Sequence, residues 1–230
     1  MDTPFLRARS AEEKGERRAH LLATAKAALD EGTPLAELSL SALARRAGMA
    51  KANVYRYFAS REALLLALLW AEWAPVEAAL RAPPPAAPLR PDEVADSLTH
   101  LLVAAPLLCA LITALPSVLE QNLSVEAVAE FKRQTLGSML AVGAALHAAC
   151  PALSAEAHGQ LLHDALAAVA GIFPFAHPAP AAAAAMADPA FAPLRRDFEA
   201  DLRRFLRALA AQAAAGAGEG VGAGEGVGAC

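Results

Sequence analysis

One stretch, Ser39–Leu64 (SLSALARRAGMAKANVYRYFASREAL), constrains this chain more than any other part of it. Leu40, Leu43, Ala44 and Ala47 recur at helical spacing. Gly48 follows at once, the residue a helix C-terminus uses where it needs a positive φ. A second short helix is expected over residues 51–58, burying Val54 and Phe58, which lie four apart on one stripe. At about 100° per residue, Ala52, Asn53 and Arg56 point away from that stripe, while Tyr55 and Tyr57 flank it. A short helix that presents an amide, a guanidinium, a methyl and two phenols just after a glycine turn suits a DNA major groove. The stretch reads as a helix-turn-helix followed by the start of a longer helix.

The flanks agree with this reading. Ser10 and Glu13 have capping-box spacing and open a first helix that runs to about Glu31, with Leu21, Leu22, Ala25, Ala28 and Leu29 on its buried side. Residues 1–9, with Arg7 and Arg9, read as a flexible arm, either solvated or touching phosphates. Gly32-Thr33-Pro34 ends the first helix, and Ser39 caps the second. Ser60 caps a fourth helix that continues through Leu64, Leu68, Trp70 and Trp73, and Pro75 is expected to kink or end it. Residues 10–66 thus form the expected DNA-binding domain.

Taken as a sum, charge argues against nucleic acid, since the net charge is −4. Its distribution points the other way. Residues 1–66 carry eleven Lys/Arg against eight Asp/Glu, and residues 67–230 carry nine against sixteen. Positive charge gathers where the helix-turn-helix lies, and the local field governs approach to DNA. The chain is 56% hydrophobic but only 5% aromatic, with few alternating or β-branched runs, so an all-α protein is expected. The first twenty residues are charged and show no signal peptide. Three cysteines, at 109, 150 and 230, have no framework spacing and suit free thiols in a cytoplasmic protein.

Beyond the helix-turn-helix the pattern changes. Residues 81–91 (RAPPPAAPLRP) hold five prolines and can only be a rigid connector. Helices are expected over 92–102, 106–115, 124–149 and 154–172, with Pro174, Pro178 and Pro180 closing the last of these. Asp188-Pro189 is expected to start a final helix to about Ala214, with Phe191, Leu194, Phe198, Leu202, Phe205, Leu206 and Leu209 on one face. The AGEGVG repeat then makes residues 215–230 a disordered Gly-rich tail. Leu98–Leu119 is nominally long enough to span a bilayer, but its polar residues, two prolines and lack of a basic flank favour a buried helix pair.

With a helix-turn-helix near the N-terminus and a larger helical domain behind it, the sequence resembles a TetR-family transcriptional regulator. The resemblance is carried by Ser39, Leu43-Ala44, Ala47-Gly48-Met49, Tyr55-Arg-Tyr-Phe58 and Arg61-Glu62-Ala63-Leu64. It implies an N-terminal three-helix DNA-binding domain and a helical ligand-binding and dimerisation domain, here residues 67–214, with about nine helices in all. It implies that Ser39 and Ser41 meet the DNA backbone or a base edge, that Lys51, Ala52 and Asn53 face bases, and that Tyr55, Tyr57 and Arg61 reach phosphates. Arg56 joins this set as an outward-facing cation. The residue chemistry agrees, because asparagine pairs bidentately with adenine, an alanine methyl packs on thymine, and phenols and cations fix register. Packing within the three-helix module is the other reading of Tyr55 and Tyr57, and Arg45 and Arg46 read equally as a solvated or internally paired face. Two departures stand out. Ala50 replaces the usual serine cap, which costs about 1 kcal/mol of helix stability. Arg61 replaces the commoner lysine.

For the larger domain the resemblance implies a pocket, with Trp70, Trp73, Leu102, Cys109, Thr113, Phe131, Met139 and His147 as candidate liners, each also readable as core. The scarcity of charge over 98–119 and 134–155 favours an apolar or neutral effector. It further implies a homodimer built from the last two long helices, with Leu162, Leu166, Val169, Phe198, Leu202, Phe205 and Leu209 at the interface, and a palindromic operator as the partner. Ligand would act by moving the fourth helix and resetting the spacing of the recognition helices. His147 and Cys150 lie three apart, yet two ligands do not make a metal site, and His158 and His163 read as core or surface. No nucleophile arrangement or phosphate loop is visible, so no catalytic role, cofactor or metal is assigned. A helical ligand-binding or protein-interaction module that no longer reads specific DNA is the alternative.

Overall fold

The computed structural model describes the backbone of residues 4–116 and 123–222, and the side chains of residues 12–116 and 123–216. Among the described residues the regular structure is helical throughout, with no strand, in ten α-helices and two short 3-10 turns. The chain divides into two compact units at Glu72/Trp73, somewhat beyond the boundary at 66/67 expected from the sequence.

The first unit contains α1 (Pro4–Asp30), α2 (Leu40–Arg46), α3 (Lys51–Tyr55) and the first part of α4 (Arg61–Leu80). Helix α1 begins at Pro4 rather than at Ser10, so most of the expected arm is helical. Proline fits a first helical turn, and neither glycine nor proline interrupts residues 5–14. The Ser10 side chain lies outside the described residues. At the other end Gly32 takes φ 94, and the N–H groups of Gly32 and Thr33 donate to the carbonyls of Leu29 and Ala28, both at 3.0 Å. This double bond pattern closes a helix around a left-handed residue. A 3-10 turn at Leu35–Glu37, which the sequence pattern does not signal, then leads into α2. Leu21, Ala25, Leu38, Leu43, Val54, Phe58, Leu64, Leu65 and Leu68 make the core of the unit. Each fully buried leucine contributes about 1.5–3 kcal/mol.

Pro75 neither ends α4 nor closes off its last turns, which continue to Leu80. Proline lacks the N–H that would bond to the carbonyl of Ala71, but both residues are exposed, so water takes the freed acceptor. Within the second unit the Trp73 indole N–H donates to the Ser138 hydroxyl at 2.8 Å.

The second unit holds the remaining residues of α4 with α5 (Pro91–Val103), α6 (Pro106–Ala114), α7 (Val125–Ala149), α8 (Ala155–Ala176), α9 (Pro180–Ala185) and α10 (Phe198–Gly222). Residues 81–90 form the expected irregular connector, and the Leu89 N–H donates to the Ala149 carbonyl at 2.8 Å, docking it on the end of α7. Helices α5 and α6 meet at 88°, so the long apolar run is a bent pair. The hydroxyls of Ser124 and Ser154 accept from the N–H of Ala127 (3.2 Å) and Ala157 (3.1 Å) and set the starts of α7 and α8. Helix α8 packs against α6, α7 and α10, and α5 against α10. At the α7–α8 crossing Gly143 comes so close that a Cβ would stand 2.6 Å from the Ala155 carbonyl oxygen. The α5–α10 contact carries an ion pair in which the Arg207 Nε and a terminal nitrogen donate to the two oxygens of Asp96 at 2.8 and 2.5 Å. That guanidinium holds the Asp96 carboxyl below its ordinary range.

Two further expectations fail at prolines. Helix α8 runs past Pro174 to Ala176, because Pro174 is exposed and its ring projects into solvent. The expected helix from Asp188 is instead a 3-10 turn, Pro189–Leu194, capped by Asp188. Arg195 is extended and donates to the carbonyls of Met186 (2.8 Å), Ala187 (3.0 Å) and Asp188 (3.3 Å), so the chain restarts as α10 under an Asp197 cap. Phe191 and Leu194 therefore stay exposed rather than joining the α10 stripe. The backbone of α10 is helical to Gly222, beyond the expected end at Ala214, and residues 223–230 of the expected tail lie outside the described residues. By length and composition α4 and α8 each could cross a membrane, with 50% and 22% of their apolar windows buried in the fold.

Candidate nucleic-acid interface

The glycine turn is built as its sequence requires. Gly48 has φ 64, and the N–H groups of Gly48 and Met49 donate to the carbonyls of Arg45 (3.3 Å) and Ala44 (2.9 Å). Helix α2 thus ends in the same closure as α1, and the chain re-enters α3 within three residues. Ser39 is the N-cap of α2, its hydroxyl accepting from the Ala42 N–H at 3.1 Å, and remains exposed; Ser41 is exposed in the first turn. Ala50 stands at the N-cap of α3 with no side-chain bond. The helix is short, Lys51–Tyr55, and continues as turns to Phe58, whose N–H donates to the Val54 carbonyl at 3.1 Å.

Burial sorts α3 into two faces. Val54 and Phe58 lie in the core, and Lys51, Ala52, Asn53, Tyr55 and Arg56 are all exposed. Tyr55 is 47% exposed, and the Lys51 ammonium lies 5.7 Å from its ring centre, so cation and phenol share one patch. Tyr57 is half-buried at the edge of that patch. The Arg18 guanidinium covers the inner ring Phe58 at 5.3 Å. Arg46 pairs with Glu31, which places it on the internally paired face, while Arg45 stays exposed. Arg61 stands apart from the exposed set. It is half-buried, and one terminal nitrogen donates to the Leu35 carbonyl at 2.6 Å. A cleft in this unit, about 360 Å³, is lined by Ala28, Thr33, Leu38, Ala42, Leu43, Arg45 and Arg46 on the α1–α2 side.

The residues read as pocket liners fall in different settings. Trp70 belongs to the first unit and Trp73 to the second. Leu102, Cys109 and Phe131 are core, and Thr113 and Met139 are half-buried. The Cys109 thiol donates to the Leu102 carbonyl at 3.2 Å, and burial pushes its pKa up to about 12. His147 is exposed at the α7–α8 corner, its Nδ1 2.6 Å from the Leu153 carbonyl. It lines no pocket. His158 is fully buried with Nε2 3.0 Å from the Cys150 carbonyl, and its Nδ1 has no partner. Burial and the nearby His147 push its pKa down.

The residues read as a dimer face also split. Leu162, Val169, Phe198 and Leu202 are buried inside the unit and are not available to a second copy. Leu166 and Leu209 are half-buried, and Phe205 is 42% exposed. Phe205 lines a groove of about 440 Å³ between α8 and α10 with Ala168, Gly171, Ile172 and Ala208, rimmed by Arg196, Asp201 and Arg204. Phe175, 72% exposed, lies one turn along α8 from Gly171. Sequence reasoning reads the Leu162, Leu166 and Val169 face of α8 instead of this outer stripe, and only Phe175 is lost because Pro174 reads as a stop; the small residues at 168 and 171 are the signal of the stripe.

Comparison with known families follows the same division of the chain. Residues 21–68 match the model described as bacterial regulatory proteins, tetR family, and residues 68–214 match the tetracyclin repressor-like C-terminal domain. The chain belongs to the TetR family. Regulation of transcription and DNA binding come with that membership. The fold is similar to a TetR transcriptional regulator from Rhodococcus sp. RHA1, with TM-score 0.53 and 19% identity over 86% of this chain and 97% of that one. No curated protein matches the chain. In this TetR-family regulator, Lys51, Ala52, Asn53, Tyr55 and Arg56 are the side chains that α3 leaves exposed.

Proposed function

We propose that this regulator is a dimeric repressor that reads a palindromic operator through α3 and is released by a small apolar or neutral effector. The observation that carries this reading is the two-faced α3, with Val54 and Phe58 anchored in the core and Lys51, Ala52, Asn53, Tyr55 and Arg56 left to solvent. Asn53 supplies a bidentate amide for adenine and Ala52 a methyl for thymine. Ser39, Ser41, Tyr55 and Tyr57 supply neutral donors for phosphates, and Lys51 and Arg56 supply charge.

A second copy supports the palindrome. It would cover the groove lined by Ala168, Gly171, Ile172, Phe205 and Ala208, together with Phe175, and bury apolar surface that a monomer leaves wet. Two-fold symmetry then offers two recognition helices to half-sites about 34–36 Å apart. The scarcity of charge over 98–119 and 134–155 supports an apolar or neutral effector, with Thr113, Phe131 and Met139 the remaining candidate contacts. Helix α4, one continuous element across Glu72 and Trp73, is the carrier of the signal, and the cytoplasm is the compartment where operator and effector meet.

Selection of bound sequences from a random duplex pool tests the reading. A recovered palindrome with half-sites one helical turn apart supports it. A folded dimer that enriches no sequence at low salt overturns it.

A further inference from the structure

Residue type and position place Arg61 among the phosphate contacts. Its surroundings are different. Arg61 is the first residue of α4, and its side chain is only 24% exposed, whereas Lys51, Asn53, Tyr55 and Arg56 on α3 are open to solvent. One terminal nitrogen donates to the Leu35 carbonyl at 2.6 Å, and the other stands 3.6 Å from the Glu62 carboxylate. The Nε is buried without a partner. The guanidinium is therefore committed inward.

The carbonyl it holds belongs to the 3-10 turn Leu35–Glu37, the link between α1 and the N-cap of α2 at Ser39. That link has little else to fix it. Glu37 N–H donates to the Pro34 carbonyl at 2.9 Å, and of its side chains only Leu38, at its end, is in the core. A charge-assisted hydrogen bond to a carbonyl is worth roughly twice a neutral one, and a partly buried one is little screened by salt. We propose that Arg61 is a positioning residue: it clamps the turn before α2 to the first turn of α4, and so sets the pose of the helix-turn-helix on the DNA without touching the duplex. The proposal rests on the DNA-reading function above.

Lysine distinguishes the two roles. Its ammonium serves a phosphate as well as a guanidinium does, but it stops one bond short of the nitrogen that reaches Leu35 and carries no fork. Arg61→Lys and Arg61→Met are compared with the wild-type chain in two measurements. The first is hydrogen exchange of the backbone amides over 38–42 in the free protein. Clamping predicts faster exchange there in both variants, with the amides of α7 and α8 unchanged. Wild-type exchange over 38–42 in Arg61→Met overturns the proposal. The second is affinity for the selected operator across a salt series. Clamping predicts that Arg61→Lys weakens specific binding by about tenfold, with the salt slope unchanged in both variants. Wild-type affinity in Arg61→Lys, with the slope of Arg61→Met reduced by about 0.9, assigns Arg61 to a phosphate and overturns the proposal. If the wild-type chain recovers no operator, the function above fails, and the exchange measurement still decides the clamp.

Discussion

At the scale of single residues, the reading of DNA and the stability of the larger domain rest on different chemistry. Asn53 is exposed on α3 with no role in the core, so its removal should not touch folding. Asn53→Ala is expected to cost about 1–3 kcal/mol on the operator while nonspecific affinity holds. Equal losses on all duplexes, in a titration at fixed salt, would contradict base recognition. His158 is the reverse case, buried within the second unit. In the folded chain burial, aided by His147, keeps its imidazole neutral below the ordinary value of 6.5. As pH falls through about 6.5 the unfolded chain takes up the proton first, so this group's contribution to stability is present above that pH and lost below it. Urea unfolding between pH 7.5 and 5 should therefore show a decline that is shallower in His158→Gln; parallel profiles would remove His158 from the acid response. Cys109, with its thiol pushed up to about 12 and its Sγ bonded to Leu102, should resist alkylation in the native state and react once urea unfolds the chain, as mass spectrometry of tryptic peptides would show.

At the scale of elements, close approach and helix continuity decide the outcome. Gly143 lets α7 and α8 cross with backbone nearly in contact, and a methyl there would meet a carbonyl oxygen that cannot rotate away. Gly143→Ala is expected to lose about 1–3 kcal/mol despite alanine's better helix propensity. A thermal midpoint equal to wild type would show that the crossing is softer than its geometry. Pro75→Ala should do the opposite, restoring an N–H donor in the exposed middle of α4 and raising the midpoint. The same elements show what is legible in sequence. The caps Ser39, Ser124 and Ser154, and the proline that opens α6, mark helix starts because they act locally on orphan amides and on φ, whereas Pro91 reads as the end of the connector and is the first residue of α5. Pro174 reads wrongly as a stop, and Pro75, expected to kink or end α4, does not end it, because the cost of a proline depends on whether water reaches the freed carbonyl, which is a property of the folded surface. The break at Arg195 is hidden for the same kind of reason, since its partners are carbonyls seven to nine residues back. On the DNA side, residue types and spacing set the exposed face of α3, whereas the inward turn of Arg61 requires knowing where the carbonyl of Leu35 lies. Leu162 and Val169 read as a dimer face and are core instead, since a helix apolar on two sides does not say which side its own chain covers.

At the scale of the whole molecule, the interface proposed at the groove between α8 and α10 would tie assembly to DNA reading. Phe205→Asp combined with Phe175→Asp should shift the protein toward monomer in sedimentation velocity while preserving its helical signal. Operator affinity should fall with it, because each monomer holds one half-site. A double variant that stays dimeric would move the interface elsewhere on the chain. The excursion between α8 and α10 has a separate consequence. From Ala179 to Asp197 every side chain but the half-buried Met186 is exposed, and the Arg195 guanidinium closes the base of the excursion with bonds to main-chain carbonyls alone. The helices on either side keep their register through their own cores, whatever this segment contains. It is where the chain can be lengthened or rewritten, so a reporter peptide spliced between Ala182 and Ala183 would travel on the regulator as a passenger.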